Sequence, residues 1–151
     1  MKKLVYLLYN LLRFEPSYLV IDLRPTDMTV NSSRGNKEFD NGGTAQGEAP
    51  DTYADSDSWE PRDEVKGDVA RMIFYMAVRY EGDNGELDLE VSGSVNNGSS
   101  PLHGKLSTLK EWNEQDPVDD FERERNEIIY LDYQHNRNPF IDNPGWVEEI
   151  W

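Results

Sequence analysis

Asn31, Arg34 and Lys37 fall within seven residues of one another in the stretch Leu23 to Gly43, LRPTDMTVNSSRGNKEFDNGG. A carboxamide oxygen is a hard ligand suited to Mg²⁺ or Ca²⁺, and neighbouring cations suit phosphate oxygens. An Asn early in a helix also serves as a backbone cap. For these side chains to act together they must be held on one short element. Arg24-Pro25 closes an apolar run, Thr26 or Asp27 caps a helix, and Val30 to Arg34 then covers about two turns. Gly35, Asn36, Asn41, Gly42 and Gly43 break the chain into loop. Ahead of the helix, Tyr18 to Leu23 is the richest β-forming run, so the layout reads strand, short helix, loop.

Other groups with chemical potential are scattered. Arg137 and Asn138 offer donors for phosphate oxygens, and the same residues beside Pro139 also read as turn formers. His103 and His135 are the two histidines and hence the candidates for a base at neutral pH. His103 lies in a Gly-flanked loop and His135 at a helix C-terminus, contexts that predict structural roles. Neither a Ser-His-Asp arrangement, a P-loop nor a dinucleotide fingerprint is present.

Several blocks in order carry a resemblance: Leu-Arg-Pro-Thr-Asp, Val-Asn-Ser-Ser-Arg-Gly-Asn-Lys and Phe-Asp-Asn-Gly-Gly in the opening stretch, then Lys66-Gly67-Asp68-Val69-Ala70-Arg71, Trp112-Asn113-Glu114-Gln115-Asp116-Pro117 and Asn136-Arg137-Asn138-Pro139-Phe140. Together they resemble the endonuclease I family of bacterial nucleases, which have a ββα-metal (His-Me finger) core. The resemblance covers residues 23–151 and leaves 1–22 as a non-matching segment. It implies a metal-dependent, sequence-nonspecific hydrolase of DNA or RNA, extracellular or periplasmic, using Mg²⁺ (or Ca²⁺ or Mn²⁺) with Asn31 as a metal ligand. Arg34, Lys37, Arg137 and Asn138 are the expected nucleic-acid contacts.

The family's first finger strand carries a Glu-His pair, general base and second ligand, and no Glu-His dipeptide occurs in this chain. No catalytic residue is therefore assigned. The resemblance implies an incomplete finger, a chain truncated relative to the family pattern and weakly active or inactive. The alternative is a non-catalytic remnant or nucleic-acid-binding paralogue.

Composition sets bounds. At 151 residues one domain is expected, and 36% hydrophobic with 30% charged residues suits a soluble fold with a modest core. The net charge of −15 opposes nucleic-acid binding, which draws on Lys and Arg. The acids crowd residues 48–64 and 81–90, however, and Leu23 to Lys37 holds three cations against Asp27 alone, leaving room for a local basic face. With no cysteine, disulfides and thiolate metal sites are excluded. Residues 1–14 begin basic and run apolar, but Asn10 and Arg13 interrupt and no small-x-small site follows, so a buried amphipathic helix is expected over 2–13 rather than a signal peptide or a membrane span.

Along the rest of the chain, Phe39 to Trp59 lacks apolar periodicity and predicts a long surface loop, its Asp51, Asp55 and Asp57 solvated rather than holding Ca²⁺. A helix opens at Pro61 with Val65, Val69, Met72, Ile73, Met76, Ala77 and Tyr80 inward. Within it, Arg71 is expected to pair with Asp68. Glu81 to Gly104 predicts turns and one short strand around Leu87, Leu89 and Val91. Lys105 to Glu114 predicts a helix burying Leu106, Leu109 and Trp112. Asp116-Pro117 launches another to Gln134, burying Val118, Phe121, Ile128 and Ile129. A last short helix carries Trp146, Val147, Ile150 and Trp151. The fold class is α+β, mostly helical with a small residual sheet.

Overall fold

A computed structural model of the chain describes residues 20–82 and 85–151, with the backbone alone at Asp22. The expected helix over 2–13 and the Asp83-Asn84 part of one turn lie outside the described residues. Helix α1 (Met28–Arg34) forms where its caps predict. Asp27 accepts from the amides of Thr29 (2.8 Å) and Val30 (3.3 Å), and Gly35, at φ 55°, closes the helix by donating to Asn31 O.

The fold is α+β, as expected, but its sheet is larger than the sequence suggests. Within the expected 39–59 loop lie β2 (Thr44–Gln46), β3 (Ala49–Ala54) and β4 (Ser58–Glu60), with β1 (Glu38–Phe39) at its start. With β5 (Glu90–Ser92) and β6 (Leu102–Lys105) they make one sheet ordered β2-β3-β4-β1-β6-β5. The β2-β3-β4 meander is antiparallel, whereas β4-β1, β1-β6 and β6-β5 are parallel. Periodicity misses these strands because they are short and their buried positions are mostly small or polar, such as Thr52, Ala54 and Ser58.

The β3-β4 turn explains the acidic cluster. Asp55 Oδ1 accepts from the amides of Asp57 (3.1 Å) and Ser58 (2.8 Å) and from the Ser58 hydroxyl (2.9 Å). The Ser58 amide leads the bonds that hold its pKa at about 2. A carboxyl depressed in the fold contributes stability that is complete above its unfolded value, near 4, and lost as pH falls towards 2. Asp55→Ala is therefore expected to flatten the acid limb of stability between those values, read as urea midpoints across pH. An unchanged limb would show that the turn gains nothing from the carboxylate.

Helix α2 (Lys66–Arg79) follows a 3-10 turn (Asp63–Val65) and packs on α3 (Leu106–Gln115), the element pair in most extensive contact. Its inward face differs from expectation. Ala70, Phe74, Tyr75 and Val78 are buried with Ala77, and Val69, Met72, Ile73 and Met76 are only half-buried. The segment is apolar nearly all round, so period alone cannot choose the face, and the partners α3 and the C-terminal aromatics decide it. Phe74 lies 4.8 Å from Trp151 and 5.9 Å from Phe140, ring to ring. Leu109 and Trp112 of α3 are fully buried, as expected.

The next helix, α4 (Asp120–Ile128), starts later than Asp116-Pro117 suggests and continues through a π-helical turn (Ile129–Tyr133). Its cap is Asp119, because the Asp116 carboxylate is committed to the Gly67 amide at 2.9 Å. Val118 and Ile129 are buried as expected, but Phe121 and Ile128 are exposed. Asn138 caps α5 (Pro139–Asp142), and α6 (Trp146–Ile150) closes the chain.

The expected strand at Tyr18 to Leu23 is not formed in its described part: Val20–Asp22 is a 3-10 turn. Arg125 of α4 donates to the carbonyls of Val20, Ile21 and Leu23 at 2.8 to 2.9 Å, which uses the acceptors a strand partner would need. Among the described residues no helix is long and apolar enough to cross a membrane.

Candidate nucleic-acid interface

Helix α1 presents Asn31, Arg34 and the residues leading to Lys37 beside the centre of the sheet. The sequence places Arg34 five residues before Phe39, and the turn at Gly35 folds its guanidinium over the Phe39 ring, 4.6 Å from the centroid. Arg34 Nη1 donates to Gly35 O at 3.3 Å, and Lys37 Nζ donates to Ser33 O at 2.6 Å. Neither cation is ion-paired with a carboxylate among the described residues. Burial lowers the Arg34 pKa from its usual value, which still leaves the group cationic. The nearest acid in sequence, Glu38, is buried and accepts from Asn97 N (2.9 Å) and Asn97 Nδ2 (2.7 Å), tying β1 to the 93–101 loop.

Two cavities meet at this place. One, of about 380 Å³, lies between Arg34 to Glu38 and the segment Gly98 to His103. The other, of about 450 Å³, is more apolar and runs from Asn31 and Val30 past Phe39 to Met72, Ile73 and Met76. The half-buried stripe of α2 thus forms a wall of the second cavity. Arg34 and His103 line both.

Asn31 and Arg34 line the second cavity, Arg34 and Lys37 line the first, and Arg137 and Asn138 line neither. Asn138 is fully buried: its Nδ2 donates to Arg71 O (2.9 Å), its Oδ1 accepts from Phe140 N (3.0 Å), and its amide donates to Asn126 Oδ1 (2.9 Å). It has no surface to offer a phosphate, which corrects its expected role. Arg137 is clamped by Asp142 (Nε to Oδ2, 2.8 Å) and by Glu127, and the Asp142 bond raises its pKa further. Its charge is already neutralised, so the turn-forming reading holds for this block. Arg71, expected against Asp68, pairs chiefly with Glu122, with Asp68 more distant at 3.7 Å and held instead by Arg24 at 2.8 Å.

His103 is the residue that sequence reading undervalued. Position within β6, paired in parallel with β1 through Phe39 and Gly104, sets it beside Arg34 although 69 positions separate them in the chain. No local signal in the sequence marks this proximity.

Asn31 is exposed and its side chain faces the second cavity's rim. Among the described residues no group of three or more His, Asp or Glu gathers to hold a metal ion. One amide oxygen without such a group does not fit a closed Mg²⁺ site, for which several hard anionic oxygens are the usual anchor.

The site is thus a short capped helix beside a mixed sheet, with two cations that have no carboxylate partner among the described residues at the edge of a cleft. The chain belongs to the Endonuclease I family, whose sequence profile matches residues 19–145. Among curated proteins it is 70% identical over 129 residues to the extracellular ribonuclease of Bacillus subtilis (strain 168), and 67% identical over 129 residues to that of Bacillus amyloliquefaciens. Each match takes in 85% of this chain and 45% of the relative, so the chain spans just under half the length of the curated relatives it matches. No solved structure matches it.

Proposed function

We propose that this chain is the substrate-binding part of an extracellular nuclease that hydrolyses phosphodiester bonds, with RNA as its substrate. The observation that carries the reading is the pair Arg34 and Lys37, cations without carboxylate partners over a cleft, in a chain whose net charge is −15. In so acidic a protein, cations left free of carboxylates mark where an anion is received. The relatives named extracellular ribonuclease support both the polymer and the compartment. Asn31 is proposed as one oxygen ligand of Mg²⁺, in keeping with the family resemblance. Because no group of three or more His, Asp or Glu gathers among the described residues, no chemical step is assigned through the metal.

What the chain's own residues do is bind and orient. Arg34 and Lys37 hold phosphate oxygens, and the Phe39 ring fixes the guanidinium. Binding of this kind is salt-dependent and indifferent to base sequence. Arg34→Ala and Lys37→Ala are each expected to weaken single-stranded RNA binding uniformly across sequences and to reduce the salt slope by about 0.7. Arg137→Ala is expected to leave that slope unchanged. Fluorescence anisotropy at several salt concentrations checks this, and equal effects at Arg34 and Arg137 would remove the interface from α1.

A second reading, non-catalytic nucleic-acid binding, is favoured by the lack of any Glu-His pair in this sequence and of a metal-holding cluster among the described residues. The chain itself is expected to cleave RNA or DNA only in trace, since loss of a general base alone costs about 10²- to 10⁴-fold. Robust Mg²⁺-dependent cleavage that survives His103→Ala with His135→Ala would show that a base of another kind is present.

A further inference from the structure

Two polar atoms at the wall shared by the cavities, Arg34 Nε and His103 Nε2, are buried and make no hydrogen bond. Buried polar atoms in native proteins are almost always paired, and a pair left open at one spot calls for a ligand. The chemistry of both atoms is defined. Arg34 Nε–H is a donor under all conditions. Burial first, and the Arg34 charge second, lower the pKa of His103, with Glu38 opposing, so the imidazole is neutral at pH 7 and carries one ring proton. With that proton on Nε2, two donors serve one acceptor. Of the other charged neighbours, Lys37 has no carboxylate partner among the described residues and adds a positive charge, while Glu38 opposes an anion with its carboxylate oxygens turned to Asn97.

We propose that Arg34 and His103 form an oxyanion subsite for one phosphodiester of a single-stranded nucleic acid, with the nucleosides on its two sides entering the two cavities. This rests on the nuclease reading above and deepens it by naming the form of the substrate. The cavities, of about 380 and 450 Å³, are contiguous at Arg34 and His103, which line both. A strand can therefore pass from one to the other with its phosphate at the donors. A duplex cannot, because its bases are stacked and paired inward rather than free to enter clefts. Among the described residues the Arg34 guanidinium has one hydrogen bond, of 3.3 Å to Gly35 O, and rests on the Phe39 ring, so an arriving phosphate can take its open donors while the ring keeps it in place.

The test is NMR of the two histidine side chains in the whole chain, in EDTA so that cleavage does not interfere. Inorganic phosphate, then a single-stranded RNA oligonucleotide, is titrated in. The His103 resonances are expected to move with saturation while those of the exposed His135 stay in place. Arg34→Lys keeps the charge and loses Nε–H, and His103→Gln keeps a donor on a different reach. Each is expected to weaken single-strand binding by about tenfold, the scale of one charge-assisted hydrogen bond. The same sequence as duplex is expected to bind at least as much more weakly.

Equal movement of both histidines, full affinity in Arg34→Lys, or duplex binding as tight as single strand would each overturn the proposal. The phosphate titration uses the unmodified chain, so a variant that fails to fold does not obscure the answer. Cleavage is read in a separate assay with Mg²⁺ in place of EDTA, so a silent His103 beside active hydrolysis would remove the subsite and keep the nuclease. A responsive His103 in a chain that cuts nothing would do the reverse.

Discussion

Glu122→Ala is expected to destabilise the chain by about 3–5 kcal/mol, the usual cost of stripping one partner from a buried ion pair. Arg71 has no exposed surface and Glu122 almost none. Arg71 Nε donates to Glu122 Oε1 at 2.9 Å, and Nη2 stands 2.7 Å from Oε2 as an ionic contact. Nη1 donates to Asn113 Oδ1 (3.2 Å) and to the Asp116 carbonyl (3.0 Å), so one guanidinium joins α2, α3, α4 and the loop between the last two. Burial pushes the Glu122 carboxyl pKa up, and Arg71 pulls against it. Without Glu122 the guanidinium keeps its charge and loses its nearest counter-ion, with Asp68 at 3.7 Å too far to replace it.

Since total stabilities run to about 5–15 kcal/mol, the single variant is expected to sit near its unfolding midpoint at 37 °C. The double variant Arg71→Met with Glu122→Leu removes both charges and is expected to recover most of the loss. Urea midpoints for the two singles and the double give the coupling directly. A Glu122→Ala shift below 1 kcal/mol would mean that the pair is hydrated and not a core element.

Gly67→Ala provides the second large effect, and its sign discriminates between two arguments. Helix propensity favours Ala over Gly by about 0.8–1.0 kcal/mol inside a helix, which predicts a gain. The tertiary environment predicts a loss. A Cβ at Gly67 would overlap the Asp116 carbonyl oxygen and lie 2.7 and 2.8 Å from the two terminal nitrogens of Arg71. Neither is free to move, because the carbonyl accepts from Arg71 and the guanidinium is anchored on Glu122. Overpacking of this kind costs about 1–3 kcal/mol, so a net loss is expected despite the better helix former. Thermal unfolding of Gly67→Ala decides it. A raised Tm would show that α2 and the 113–119 segment are farther apart than these distances require.

The same residues show what can be read without tertiary knowledge. Helix α1 was legible because its signals are local: Asp27 satisfies amides two and three residues on, and Gly35 supplies the positive φ that ends the helix. The short helix capped by Asn138 was not legible: the same residues beside Pro139 read as a turn, and the phosphate role given to Asn138 did not hold either. Burial converted a side chain with phosphate chemistry into a cap and a bridge to Arg71 O, and burial is a property of the whole fold. The strands within 39–59 were hidden because they are short and bury mostly small or polar residues, although β2, β3 and β4 pair with near neighbours in the chain; only β1 depends on a distant partner as well. Phe39 pairs with Gly104, and the two-residue strand β1 has no pattern of its own to show.

The sequence by itself determined the family, the close spacing of Asn31, Arg34 and Lys37, the exclusion of thiolate chemistry, and the two ends of α1. Each of these depends on residue type or on spacing within a few positions. Tertiary structure alone decided which face of α2 is core, which acid answers Arg71, and that His103 stands with Arg34 between two cavities. These depend on parallel pairing and helix packing between segments tens of residues apart, where hydrogen bonds and excluded volume select one arrangement among several that the local pattern allows.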